Sequence, residues 1–496
     1  MSSNLALITP KSEPLDEPPL SLHLSAAFSA TPLSVSEIPG IAVNQRDSDV
    51  IVPLPLPETQ ASDFFTPPWR SWKYPARPSE MFASLLLSIG ANRENTSAPC
   101  GHRTKRRCDS EALFLMKQRG LCVNHDKKVV GDIPGISVGD VFLYRSEMTV
   151  IGLHGQRLAG IDYVPAAQCF NGQPIATSVV VSGDKNHKQA ADQKLKSGNL
   201  AMMTSMKYGI EVRVIRGLKY GGSASGKLYV YDGLYRIKET LFDVGKSGFR
   251  VYKFKLARIE NQPEMGSVLI NFAERLKTRP LEVRPKGHVF SIDLSKSKEN
   301  LPVFFYNDID SCDDPLRYDY LVKTIFPPNV YISAPSSGCQ CVDGCRDGCF
   351  CSKKNGGVFP YDSKGFLPRG KPLIFECGPH RRCPPTCRNR FEVFRSRETL
   401  WGVRTLDLIH AGSFICVYTG VVLTYRQAPI CRMNDVLVMR NVASYICHSS
   451  SPNVFVQHVL YDHNDAYFPH LMLFARENIP PMTQLSLDYG ISDGRI

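Results

Sequence analysis

Eight of the sixteen cysteines in this 496-residue chain lie in one short segment, and their spacing suits metal binding. They are Cys339, Cys341, Cys345, Cys349, Cys351, Cys377, Cys383 and Cys387. Cysteines one residue apart point to opposite sides of an extended backbone, so Cys339 and Cys341 can serve two neighbouring ions, or one ion through a bridging thiolate. Zinc prefers four tetrahedral, soft ligands, and shared thiolates let few residues hold several ions.

A disulfide framework is the alternative interpretation of these cysteines. The sequence shows no secretory signal peptide, and clustered thiols in an intracellular chain favour metal over disulfides. We therefore predict two or three zinc ions. Their role is structural, because a site closed by thiolates has no open coordination position for chemistry.

The charge of the chain suggests a polyanionic partner. The formal net charge is +12 and the pI is near 8.9, although a solvated basic surface is the simpler alternative. The basic run His102–Arg107 is compatible with nuclear import or phosphate binding. The most apolar stretches, Met81–Ala91 and Ser413–Leu423, are too short to span a bilayer, so no membrane association is expected.

Composition and periodicity divide the chain into segments that must position these residues. The predicted segments are 1–110 (disordered, with many prolines and serines), 125–275 (short β-strands punctuated by glycine), 276–336 (linker), 337–390 (cysteine-rich, held by metal) and 391–496 (short strands again). A short helix is predicted at Glu111–Arg119. The fold class is mainly β and multidomain, with a β-barrel in the first ordered part.

Several motifs in fixed order identify the chain by resemblance. Val130–Gly135, Gly152–Gly155, Ala159–Asp162, Tyr229–Tyr235 and Arg258–Pro263 resemble an SRA (SET- and RING-associated) domain, the cysteine segment resembles a pre-SET domain, and Trp401–Arg404, Tyr418–Gly420, His448–Ser449 and Asp488–Gly490 resemble a SET domain. This order is that of the plant SUVH class of Su(var)-type histone lysine methyltransferases. Because the sequence ends at Ile496, it is most similar to the branch without a post-SET domain.

The resemblance implies a transferase cleft for S-adenosylmethionine, but several of its motifs are altered. Tyr489 and Tyr418 match the catalytic tyrosine and a second tyrosine of the cleft, and Trp401, Gly402 and His448 match the cofactor-binding positions. The family's Gly-Trp-Gly turn begins here with Leu400, and its Asn-His-Ser-Cys element begins with Cys447. The segment between Tyr425 and Met439 is short where the family has a substrate wall. We therefore predict that methyl transfer is lost.

The pre-SET resemblance implies nine cysteines around three zinc ions, and one of the nine is missing. Arg381 stands where the ninth cysteine is expected. The neighbouring His380 or a water molecule is a candidate replacement ligand, and a two-zinc centre is the alternative.

The SRA resemblance implies that methylated cytosine is flipped out of duplex DNA into a pocket. Some twenty residues of the family's pocket loop are absent after Ser182-Gly183, and Asp184 is the candidate acidic reader that remains. Lys185, Lys188 and Arg213 are candidate phosphate contacts, with a solvated basic face as the alternative.

Together these features predict a nuclear chromatin protein that reads DNA methylation, or acts as an adaptor, in heterochromatic silencing. Its expected partners are DNA, nucleosomes with the histone H3 tail, and proteins of the silencing machinery. An active histone H3 lysine-9 methyltransferase is the runner-up. A structural relic with neither activity is the third alternative.

Overall fold

The computed structural model describes residues 77–95, 107–124, 128–169, 171–182, 191–223, 225–245, 248–284, 289–331, 345, 348–376, 389–422 and 439–490. The helices are α1 (Pro78–Asn95), α2 (Cys108–Gln118), α3 (Arg145–Val150), α4 (Ser197–Lys207), α5 (Gly266–Thr278), α6 (Pro280–Val283) and α7 (Phe350–Lys354). Within these residues, no helix has the length and apolarity needed to cross a lipid bilayer.

The strands divide into two groups. The first half contains β1 (Val141–Phe142), β2 (Ile161–Val164), β3 (Ile175–Ser182), β4 (Glu211–Lys219), β5 (Lys227–Val244) and β6 (Arg250–Arg258). The second half contains β7 (Val289–Ser291), β8 (Val303–Asn307), β9 (Asp319–Tyr320), β10 (Ile374–Phe375), β11 (Phe391–Ser396), β12 (Leu400–Thr405), β13 (Phe414–Val417), β14 (Met439–Arg440), β15 (Cys447–His448), β16 (Val454–Leu460), β17 (His470–Ala475) and β18 (Ser486–Leu487). The predicted mainly β, multidomain class is confirmed.

The first half is one six-stranded sheet in the order β1-β5-β4-β3-β2, with β6 also paired to β5. Residues Leu228–Tyr235 of β5 are buried in succession rather than alternately, because both faces of the sheet are covered. Helices α1 and α2 pack on one face around Tyr231, and α4 packs on the other around Val212.

The second half consists of small sheets around a shared apolar core. One has the order β10-β16-β17-β13 and another β12-β11-β8-β7, and two further pairs are β14-β9 and β15-β18. The core includes Phe305, Val393 and Leu473, which are completely buried.

The structure corrects two of the predicted segments. Disorder was predicted through residue 110, but Pro78–Asn95 forms α1, whose Phe82 is completely buried against the first sheet. Segment 276–336 was predicted as a linker, but β8 is buried along its whole length and pairs in parallel with β11. Both segments lack a strong periodic pattern of their own, and contacts with distant residues order them.

The two halves are joined by buried polar contacts. Arg476 and Glu80 form a buried ion pair at 3.0 Å, and Asn478 donates to Glu147 at 3.0 Å. Lys277 also pairs with Asp407 at 2.6 Å. Through these contacts, the helices α1, α3 and α5 lie directly against the second half.

Candidate functional site

The cysteine segment is described at three of its eight predicted ligands. The sulfur atoms of Cys345, Cys349 and Cys351 all lie within 4.8 Å of one another. Cys349 caps α7, where its sulfur accepts the backbone amide of Ser352 at 3.4 Å. Sulfur atoms around a tetrahedral zinc are separated by about 3.8 Å when each Zn–S bond is about 2.3 Å. The three thiols therefore fit a zinc centre, which they would hold as structural ligands.

The remaining predicted ligands lie outside the described residues. They are Cys339, Cys341, Cys377, Cys383 and Cys387, together with His380 and Arg381 at the position of the missing cysteine.

The two tyrosines of the predicted transferase cleft come together. The hydroxyl of Tyr489 donates to the backbone carbonyl of Ile446 at 2.9 Å and lies beside Tyr418. Desolvation and the neighbouring Tyr418 raise the pKa of Tyr489, so its phenol stays protonated. The amide of Tyr489 donates to His448 Nδ1 at 3.2 Å, which ties the last described residues to β15.

The turn that would receive the cofactor is altered at Leu400. The backbone of Leu400 has φ of 61°, in the left-handed region that glycine adopts without steric penalty. Its side chain is 43% exposed and stands at the start of β12. Trp401 packs behind it against Phe305, and Arg395 lies 4.7 Å from the indole. The space around Gly402 is already filled, since an added Cβ would lie 2.9 Å from Phe394 and 3.0 Å from Gln484.

Cys447 connects this turn to the end of the chain. Its thiol donates to the carbonyl of Trp401 at 3.2 Å and accepts from Gln484 Nε2 at 3.0 Å. The polar groups of the turn are thus bonded within the protein. The sequence analysis singled out Leu400, Trp401 and Cys447, but it could not predict the hydrogen bonds that Cys447 makes.

One of the predicted DNA contacts is wrong. Arg213 is buried, and it donates to the carbonyls of Val129 at 2.8 Å and Gly131 at 2.6 Å. It therefore braces the entry to the first sheet and cannot reach a phosphate, because β4 is covered on both faces. The other predicted contacts, Asp184, Lys185 and Lys188, lie outside the described residues.

A loop at residues 155–160, just before β2, was missed by the sequence analysis. Leu158, at its tip, is 94% exposed. Behind it, Arg145 donates to the carbonyl of Ala159 at 2.6 Å, and His154 Nε2 lies 3.1 Å from the same oxygen. Burial lowers the pKa of His154 to about 4, so this imidazole is neutral. In the sequence, the signal that could have indicated this loop is an apolar residue, Leu158, between Gly155 and Gly160.

This loop lies beside the end of β3 and near a basic segment. Ile161 pairs with Val179 near the end of β3, which leads into the segment after Ser182. A Cβ added to Gly198 would lie 3.0 Å from Ile161, so the exposed Lys194 and Lys196 are close in sequence to this contact. One end of the sheet therefore carries Leu158 and exposed positive charge.

Domain models match the chain in the order that the motifs predicted. The SAD/SRA domain matches residues 129–188 and 183–262, the Pre-SET motif 295–390 and the SET domain 400–490. The two SRA matches meet at the shortened loop. The chain is thus a protein with SRA, pre-SET and SET domains.

Relatives in Arabidopsis thaliana define the family more narrowly. The histone-lysine N-methyltransferase family members SUVH2 and SUVH9 are 48% and 49% identical to this chain, over 79% and 77% of it and over 71% and 70% of their own lengths. The chain belongs to the SUVH family. The crystal structure of SUVH9 matches with a TM-score of 0.74 at 47% identity, covering 83% of this chain and 97% of that one. The structure of Arabidopsis SUVH6 in complex with SAM matches with a TM-score of 0.70 at 33% identity, covering 85% and 93%.

Proposed function

We propose that this protein is a nuclear chromatin protein that binds DNA through its SRA domain and does not transfer methyl groups. Membership of the SUVH family supports the nuclear, chromatin-bound assignment. Reading of DNA methylation, or an adaptor role for the silencing machinery in heterochromatin, is the function that we assign to it. The observation that carries the loss of catalysis is Leu400, a leucine in a glycine conformation at the mouth of the cofactor cleft.

Leu400 and Cys447 act against cofactor binding in different ways. A glycine in this turn lets the backbone approach a ligand closely, whereas the Leu400 side chain occupies that approach. The carbonyl of Trp401 is already bonded to the Cys447 thiol. S-adenosylmethionine would supply the methyl group to a deprotonated lysine amine, and transfer requires both partners to be held in line. Tyr418 and Tyr489 remain in place, but they would then lack a positioned donor.

DNA binding is supported by the end of the SRA sheet. The Leu158 loop is braced from behind, so its apolar tip is held in one position before DNA arrives. Exposed apolar side chains of this kind insert between base steps and unstack them. Lys194 and Lys196 supply charge that neutralises phosphates. A DNA complex is known for a relative, since the structure of KRYPTONITE with mCHG DNA and SAH matches this chain with a TM-score of 0.67 at 30% identity.

The catalytic part of the proposal is tested with radiolabelled S-adenosylmethionine and recombinant nucleosomes. We expect no incorporation into histone H3 by the wild-type protein. The Leu400→Gly variant should remain inactive as well, because the Cys447 contacts persist. Incorporation that disappears in Tyr489→Phe would instead establish the alternative function, a histone H3 lysine-9 methyltransferase.

The DNA part is tested by titrating methylated and unmethylated duplexes at two salt concentrations. Affinity should fall steeply with salt, with a logarithmic slope of roughly −0.9 per phosphate contacted. Replacing Lys194 and Lys196 by glutamine should reduce that slope by up to about 2, whereas Lys364→Gln at an exposed position in the second half should leave it unchanged.

Methyl discrimination separates the two proposed roles: it should be large for a reader of DNA methylation, and small for an adaptor whose pocket loop holds no base. Leu158→Ser should then weaken binding to both duplexes about equally, because base-step insertion does not read the methyl group. A strong methyl preference that survives high salt would show that the loop still forms a base pocket, with Asp184 as its reader. In that case Asp184→Ala should abolish the preference. Absence of binding to either duplex would contradict the proposal.

A further inference from the structure

A second group of metal-binding side chains lies in the SET domain, outside the cysteine segment. Asp462 and His463 follow β16, and His470 begins β17, so one hairpin supplies all three. One ligand atom from each lies within 4.8 Å of the others. Asp462 Oδ1 is 2.7 Å from His470 Nε2 and 3.7 Å from His463 Nε2. Two imidazole nitrogens and a carboxylate oxygen therefore converge.

The two histidines are buried among aromatic rings. Both imidazole rings are buried. Phe326 meets each of them edge-on at 5.0 Å, and Tyr461 stacks on His470 at 3.9 Å. Within the described part of the chain, His463 Nε2 has no hydrogen-bond partner. A buried polar group left unsatisfied is destabilising, and His463 Nε2 faces Asp462 Oδ1, so the geometry suits an ion bound between them.

We propose that Asp462, His463 and His470 bind one divalent transition-metal ion, with zinc as the ion this donor set suits best. Two imidazoles and one carboxylate form a known type of zinc site in which a water molecule completes the tetrahedron. Solvent can reach the site, because the Asp462 side chain is 27% exposed and the half-exposed Tyr331 ring lies against His463. This site has no sulfur ligand, which separates it chemically from the cysteine centre.

Binding requires a small rearrangement of the hairpin loop. The amide of Asp465 donates to His463 Nδ1 at 3.2 Å, which keeps the ring proton on Nε2. Coordination at Nε2 shifts that proton to Nδ1, so the Asp465 contact opens. The Nε2 proton of His470 likewise moves to Nδ1, and its bond to Asp462 is replaced by two metal bonds of about 2.0–2.2 Å. Both changes are confined to residues 462–470.

An ion at this position would clamp the end of β16 to the start of β17. It would also fix Phe326, which lies five residues before Tyr331 and thirteen before Cys339, the first residue of the cysteine cluster. The proposal is independent of DNA binding and of methyl transfer.

The test compares zinc content per chain in the full-length wild-type protein and in two variants after dialysis against a weak chelator. Asp462→Asn keeps an oxygen acceptor for His470 but removes the charge, and His463→Asn removes the imidazole with its unpartnered Nε2. Each variant should contain one zinc fewer per chain. His458→Asn, an exposed histidine on β16, is the matched control and should lose none.

Cobalt substitution identifies the ligands that were lost. Thiolate-to-cobalt charge transfer from the cysteine centre should be unchanged in both variants, because the proposed site contains no thiolate. Equal zinc in the wild type and in Asp462→Asn overturns the proposal. A variant that loses thiolate–cobalt absorbance along with its zinc also overturns it, since the substitution would then act through the cysteine centre. If His463→Asn fails to fold, Asp462→Asn alone decides between these outcomes.

Discussion

At the scale of single residues, Leu400 retains the backbone conformation of a glycine without being one. A leucine in the left-handed region carries a penalty of roughly 1–2 kcal/mol, because its Cβ approaches the following carbonyl oxygen. Glycine carries no such penalty, although it loses more backbone entropy on folding. The position is therefore one where the usual preference for alanine over glycine should reverse.

We expect Leu400→Gly to be more stable than Leu400→Ala by about 1 kcal/mol. The two substitutions differ by only one methyl group in the side chain that they remove. Their difference in stability therefore reports mainly the conformational preference of the backbone at position 400. Urea denaturation of the two variants measures the difference. Leu241, a half-exposed residue near the end of β5, is the control, and there alanine should be the more stable replacement. If alanine is the more stable replacement at position 400 as well, the backbone of Leu400 is not strained.

At the scale of secondary structure elements, α1 is held to the second half of the molecule by one buried ion pair. Glu80 and Arg476 are both almost completely buried, and burial raises the pKa of Glu80 while Arg476 opposes that rise. A buried pair adds little net stability by itself, but loss of one partner leaves the other charge uncompensated.

Removing one partner of this pair should therefore be worse than removing both. Glu80→Leu or Arg476→Met alone should lower the free energy of unfolding by about 3–5 kcal/mol, and the double variant should recover much of that loss. A double-mutant cycle measured by chemical denaturation gives the coupling. Additive losses would mean that α1 is held by its apolar face alone.

Helix α3 meets the second half through Glu147, a buried carboxylate. It accepts the amide of Leu143 at 2.8 Å and the side chain of Asn478 at 3.0 Å. Burial raises its pKa from 4.5 to about 7 against these hydrogen bonds. The pKa of Glu147 is higher in the folded than in the unfolded protein, so protonation of this carboxyl stabilises the fold. That stabilisation is complete below about pH 4.5 and is lost as the pH rises through 7.

The pH dependence of stability should therefore change in Glu147→Gln. Between about pH 5 and 7 one such carboxyl contributes a slope of up to about −1.4 kcal/mol per pH unit, and the variant should lack it. Denaturation of both proteins across this range measures the difference in slope, whatever the effect of the lost Asn478 bond on the baseline. Glu239→Gln, at an exposed position on β5, should leave the slope unchanged.

At the scale of the whole molecule, we expect the stability of the two halves to differ in its dependence on bound metal. The first sheet is stabilised by apolar packing on both faces. The region around α7 is built from short elements, and three thiols lie together at its start. Binding of structural zinc contributes directly to folding of such a region.

Chelation should therefore loosen the second half first. Hydrogen exchange in the presence of a zinc chelator should accelerate at α7 and β10, while β4 and β5 keep their protection. Mass spectrometry of the intact protein with and without chelator measures both regions at once. Uniform acceleration would mean that the interface couples the two halves into a single unfolding unit. Unchanged exchange would contradict a structural role for zinc.

Local patterns were sufficient for much of this architecture. The short strands predicted within 125–275 are observed as β1 to β6, because alternating and continuous apolar patterns reflect burial in a sheet. Motif order predicted the three domains, and cysteine spacing predicted the thiol cluster at Cys345, Cys349 and Cys351. In each case the information lies within a few neighbouring residues.

Other features depend on residues that are distant in sequence, and only the tertiary structure decided them. Arginine at position 213 has the composition of a phosphate contact, yet it is buried because two carbonyls more than eighty residues upstream accept its protons. Helix α1 contacts residues that are very distant in sequence, since Glu80 pairs with Arg476, almost four hundred residues away. Burial and hydrogen bonding are properties of the folded surroundings, so residue type alone predicted neither the brace at Arg213 nor the convergence of Asp462, His463 and His470.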